Sequence, residues 1–208
     1  MAAAQGQLPD GDEAPVVFRQ AVDALLGARP RPEVTLAPMP APKRLAPYAY
    51  ALEAEVAAED EEELADGRLV LLHDPAAPAA WGGTFRVVTL ARVELEPEMA
   101  ADPLLPEVCW SWLTGALAAR GAEYKEAGGT VSRSSSHHFG ALSDRADSTQ
   151  IEVRASWTPV AGAAGVPDTA AHLAAWCELL CTGAGLPPAQ GDGGSGSVVS
   201  LPNRRGPR

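Results

Sequence analysis

Lysine is nearly missing from this chain. Only Lys43 and Lys125 occur, and all basic residues together number 16 against 27 acidic ones. The net charge of -11 works against gripping a phosphate backbone, where affinity rests on Lys and Arg displacing counterions. Nucleic acid is therefore not an expected partner. No apolar run approaches the roughly 18–20 residues of a membrane span, so no membrane crossing is expected. The opening MAAAQGQLPDGDEAP holds neither a basic n-region nor an apolar h-region, and no secretory signal is read there. Cysteine is scarce and odd in number (Cys109, Cys177, Cys181), with no C-x-x-C pair. That excludes a disulfide framework and points to a reducing cytoplasm. Two catalytic signatures are missing as well. No G-x-S-x-G elbow occurs, and the Gly-rich GAGLPPAQGDGGSGS follows a helical pattern instead of opening one, the wrong order for holding phosphate.

What is present is periodicity. A helix is expected from Pro15 to about Ala28, with Phe18, Val22, Leu25 and Leu26 at helical spacing and Gly27 and Pro30 at its end. Residues 29–47 carry six prolines and read as an extended connector. Tyr48, Tyr50, Leu52, Ala54 and Val56 then alternate with smaller or charged residues, the mark of a half-buried strand. After the acidic loop Glu59–Glu63, Gly67–Asp74 is apolar on both faces at Leu69–Leu72 and reads as a strand covered on both sides. Thr84–Glu96 makes the next strand, with Phe85, Val87, Ala91, Val93 and Leu95 on one face and Arg86, Arg92, Glu94 and Glu96 on the other.

A helix follows, with Asp102 as its cap and Pro103 just inside; its broad face comprises Leu105, Val108, Cys109, Trp112, Leu113 and Ala116, and Gly121 closes it. Ala122–Phe139 is polar and broken at Gly128-Gly129, as in an edge hairpin or bent strand. Gln150–Thr158 alternates cleanly, Ile151, Val153, Ala155 and Trp157 against Glu152, Arg154 and Ser156. Asp168 caps a last helix whose apolar arc contains Leu173, Trp176, Cys177, Leu180, Cys181 and Ala184. The expected domain is α+β, an antiparallel sheet of about five strands with helices packed on it, in the order α-βββ-α-ββ-α. It occupies residues 15–185, between disordered tails at 1–14 and 186–208. The second tail ends in an apolar Val198–Leu201 patch followed by Arg204, Arg205 and Arg208.

Each candidate for chemistry has a plainer competitor. Ser134–Ser136, His137 and His138, with Asp144 and Asp147 close behind, hold the letters of a nucleophilic triad. A triad also needs a strained serine and an oxyanion hole, so a solvated edge strand is favoured. Arg133, His137 and Arg154 are the residues to watch for a small-ligand site. Cys177 and Cys181 stand at i,i+4, yet structural zinc wants four ligands, and a buried thiol packs as a small hydrophobe. Glu94, Glu96 and Glu98 could act as paired carboxylates, but pairing with Arg86 and Arg92 is the simpler use. No catalytic residue, cofactor or metal is expected. Trp110, at the margin of its helix beside Leu117, is the candidate anchor for a protein partner.

The segment Val93–Leu113 (VELEPEMAADPLLPEVCWSWL), with FRVV ahead of it and IEVRASWTP at Ile151–Pro159, resembles an uncharacterised actinobacterial family carrying a domain-of-unknown-function label, DUF3000. The resemblance runs from Val16 to about Leu180. It implies no activity, substrate or catalytic residue. Members often lie beside a ribonuclease D-like gene, which makes an RNA-associated role the third reading. The order of elements is also similar to the secretion-chaperone-like fold, whose members are small acidic dimers that hold partner segments; this likeness implies a binding role. The leading expectation is thus a cytoplasmic, non-enzymatic protein-binding or adaptor domain, with a homodimer among its forms. The alternative is a ligand-binding protein or enzyme with its site near His137 and His138.

Overall fold

In the computed structural model of the protein, which describes residues 14–57, 63–95 and 102–187, three helices lie on one face of a six-stranded antiparallel sheet. The elements are α1 (Val16–Gly27), β1 (Val34–Met39), β2 (Tyr48–Ala57), β3 (Glu63–His73), β4 (Phe85–Leu95), α2 (Leu105–Ala119), β5 (Tyr124–Ser136), β6 (Ser148–Pro159) and α3 (Thr169–Gly183). The strands run β1-β2-β3-β4-β6-β5 across the sheet, so β6 returns to pair with β4 and leaves β5 at the edge. The α+β class and the helix positions agree with the sequence pattern. The sixth strand comes from the proline-rich connector, where β1 pairs with β2 from Val34↔Val56 to Met39↔Ala51. Its Pro38 is tolerated because an edge strand needs ladder bonds on one side only.

The pleat sorts side chains to two faces, and helices cover only one of them. Toward the helices point Leu69 and Leu71 of β3, Phe85, Val87 and Ala91 of β4, and Ile151, Val153 and Trp157 of β6, all buried. Helix α3 runs through the middle of this layer, packed on β3 and β4 and flanked by α1 and α2. It is buried nearly all round, at His172, Leu173, Trp176, Leu179 and Leu180. Asp168 caps it, its Oδ1 accepting the Ala171 N–H at 3.0 Å. Gly67 lets the helix come close: a Cβ there would lie 2.7 Å from both the Leu90 carbonyl oxygen and the Trp176 ring. Each large side chain sealed in this layer contributes about 1.5–3 kcal/mol relative to leaving it in water.

Three local expectations are revised. The β3 strand is covered on both sides only at one end: Leu69 and Leu71 are buried toward the helices and Leu72 is buried on the opposite face, but Val70, on the same face as Leu72, is half-exposed. Helix α2 begins at Leu105 instead of just after Asp102, because the Asp102 Oδ1 accepts the Leu104 N–H at 2.8 Å and closes a turn ahead of the helix. Val108 is 38% exposed, since the face that packs is Leu105, Cys109, Leu113, Ala116 and Leu117. Residues 1–13 and 188–208 of the expected tails, the Glu59–Glu62 part of the acid run, Glu96, Glu98 and the Val198–Leu201 patch lie outside the described residues, whereas Ala14 is buried in the core and Leu186 packs against it.

Candidate functional site

The histidine cluster does contain an acid–base pair. His137 Nδ1 lies 2.7 Å from the Asp147 Oδ2, across the mouth of the β5–β6 hairpin. That hydrogen bond holds the Asp147 carboxyl below its ordinary range. The two side chains are 61% and 59% exposed, so water competes for both. The nearby Ser135 hydroxyl is bonded to the Thr149 hydroxyl at 3.1 Å across the hairpin. Asp144 is exposed, and the half-buried His138 has an Nδ1 without a partner.

The three residues grouped as a ligand site are not brought together. Arg133 stands opposite Ile151 and so lies on the helix side of β5; Arg154 stands opposite Thr130 on the open side. Thr130 and Arg133 are three positions apart, and alternation sends them to opposite faces. His137 lies beyond the end of β5. The partner-anchor pair separates too. Leu117 is only 1% exposed and belongs to the core, because its turn of α2 faces the sheet. Trp110 is half-buried over β5, where a Cβ on Gly129 would come within 2.7 Å of its ring.

The charge pairs differ in their partners. Arg92 bonds Asp66 at 2.6 Å, its cross-strand neighbour, and not Glu94. Arg86 donates to the Ser156 hydroxyl at 2.7 Å and to the Glu126 carbonyl at 2.8 Å. Cys109, Cys177 and Cys181 are buried in the helix layer. Burial pushes the Cys177 thiol up to about 12 and the Cys181 thiol up to about 11, so both stay protonated.

Sequence reasoning passed over two features. One is a pair of buried histidines. His172 accepts a hydrogen bond at 3.1 Å from Trp157 Nε1, and burial lowers its pKa to about 4. His73 sits among the rings of Phe18, Tyr48 and Phe85, with its pKa lowered by burial and its Nδ1 unpartnered. Both lie in apolar stretches, where a single histidine leaves no periodic signal.

The other feature is the open face of the sheet. Its centre is a shallow hollow of about 390 Å³ with Val70, Val88 and Leu90 as floor and Arg68, Arg154, Thr130 and Ser156 around it. Val70 faces Val88 in register, and Leu90 stands between Arg68 and Arg154. The signal for it was the mixed pattern of β3 and β4, which puts apolar side chains on both faces of each strand.

These observations define an α+β domain with one sheet face sealed by helices and one whose centre is open. A family model described as "Protein of unknown function (DUF3000)" matches residues 14–192, and the chain belongs to that family. Comparison with curated proteins and with solved structures returned no match. Among the described residues, no helix is long and apolar enough to cross a membrane.

Proposed function

We propose that this chain is a protein-binding or adaptor domain that holds a segment of a partner against its open sheet face. The carrying observation is that face itself, with Val70, Val88 and Leu90 half-exposed in the middle of the sheet. Contiguous apolar surface rimmed by polar groups is characteristic of interaction sites. The hollow is shallow and wide, a shape that suits a chain segment better than an enclosed small molecule. The β5 edge, exposed along nearly its whole length, supports a homodimer as one form of the protein. A cytoplasmic location belongs to the same reading and is supported by the three buried free thiols.

The experiment is site-specific photo-crosslinking in the native cell. A photoreactive residue at Val88 is expected to give a discrete adduct with another protein, while one at Leu26, exposed on α1, gives none. Identical products from both positions, or no adduct at Val88, would overturn the reading. The alternative, a ligand or catalytic site at His137 and His138, has the 2.7 Å His137–Asp147 contact in its favour and solvent exposure against it. RNA association comes third, opposed by the net charge of -11.

A further inference from the structure

The hollow has a charge pattern as well as an apolar floor. Arg68, Leu90 and Arg154 are cross-strand neighbours in one row. The two arginines therefore leave the same face with Cα atoms two strand spacings apart, about 9.5 Å. Other arginines on this face are engaged. Arg92 is held by Asp66 at 2.6 Å, and Arg86 by Ser156, Thr158 and the Glu126 carbonyl. Arg68 is different: it has no ion-pair partner among the described residues. Arg154 meets Glu152 at 2.8 Å yet keeps 67% of its side chain exposed. On a chain of net charge -11, cations are in short supply, and an unpaired arginine beside bare valine and leucine marks a place for an incoming anion.

We propose that the hollow receives an extended peptide segment of a protein partner in which an apolar residue and a carboxylate are two positions apart, the carboxylate lying between Arg68 and Arg154 and the apolar side chain over Val70 and Val88. This rests on the open-face reading and adds the partner's chemistry to it. The spacing fits: Val88 and Leu90 are two residues apart on β4, about 6.7 Å, the separation of same-face side chains in any extended chain. Guanidinium groups suit the task because their planar forks match carboxylate geometry. The rim limits the occupant. Glu53 stands beside Arg68 at one end of the arginine row and Glu152 lies in the next row, two residues from Arg154, so a long polyanion such as RNA meets repulsion as it leaves the hollow. The chain's own terminal segment carries Arg204, Arg205 and Arg208 and would bring like charge to Arg68 and Arg154.

The test is selection of random short peptides displayed against the immobilised full chain, followed by fluorescence anisotropy of the enriched peptides at physiological salt. Enrichment of an apolar-x-Asp/Glu pattern is expected. Arg68→Ser and Arg154→Ser should each weaken binding about tenfold, roughly the worth of one charge-assisted pair, with Arg68→Lys intermediate. Both positions are exposed, so these variants should unfold at the wild-type temperature, which a thermal melt verifies. Peptides lacking carboxylates that still lose affinity in Val88→Asp would overturn the proposed chemistry while leaving the open-face reading intact. Enriched peptides indifferent to Val88→Asp, Arg68→Ser and Arg154→Ser would overturn both, as would no enrichment at all. A Val88 photo-adduct consisting only of two copies of this chain would assign the face to self-association and also overturn the proposal.

Discussion

The two faces of strand β4 differ in everything but their backbone. Toward the helices, Phe85, Val87, Ala91, Val93 and Leu95 are buried. Toward the open side, Arg86, Val88, Leu90 and Arg92 keep part of their surface in water. The helix side is held by dense packing around Trp157 and Trp176, both without exposed surface. The open side is held laterally, by the Arg92–Asp66 pair and by Arg86 bonded to Ser156. One side supplies folding energy because its contacts exclude water. The other leaves binding groups accessible, and partly exposed pairs add little to stability.

That contrast can be broken by mutation. Trp157→Ala, on the sealed side, is expected to cost about 3–5 kcal/mol, read from urea unfolding, whereas Val88→Ala on the open side should cost less than about 1 kcal/mol. Equal costs would mean that the open face is also core.

Acid should attack the sealed side next. His172 is neutral in the fold, with its pKa moved from 6.5 to about 4 by burial, a shift that the Asp168 carboxylate opposes. Unfolded chain takes up the proton as pH drops below 6.5, and the native state does not until about 4. Stability is therefore complete above that window and falls through it, by about 3 kcal/mol at the lower end. The shift at His73 has the same sign. Urea midpoints at pH 7, 5.5 and 4.5 would show the slope. His172→Gln, whose amide oxygen can still accept from Trp157, should flatten it.

A third comparison sharpens the picture within the core. Trp157 Nε1 donates to His172, while Trp176 Nε1 is buried without a partner. Trp157→Phe leaves a buried acceptor unpaired, and Trp176→Phe removes an unpaired donor. The first should cost about 1–2 kcal/mol more than the second by the same unfolding assay. The smallest effect belongs to the open side: Asp66→Asn should lose less than about 1 kcal/mol, shrinking further in high salt.

Much of this architecture was legible in the residues. Ile151, Val153, Ala155 and Trp157 point to the core as their alternation required, and Asp168 caps α3 with the bond its position implied. The edge reading of Ala122–Phe139 matches β5 at the end of the sheet. What escaped depended on neighbours distant in sequence. Pro38 spoke against a strand at 34–39, yet an edge position removes the objection. Leu69–Leu72 implied cover on both sides, which holds at Leu72 and fails at Val70, because a run of apolar letters does not say how far a second layer extends. Arg133 and Arg154 looked like partners by chemistry, and one step of pleat parity on β5 separated them.

The amino-acid order alone settled which side chains share a strand face and which segments are helical, since those follow from bonds and sterics within a few residues. Which face would be roofed was decided only in three dimensions. Trp176 of α3 settles against Gly67 of β3, more than a hundred positions earlier, and that landing seals one side. The same event leaves Arg68, Leu90 and Arg154 aligned on the other. No local pattern encodes it, because the choice depends on the volume that helices and sheet can fill together.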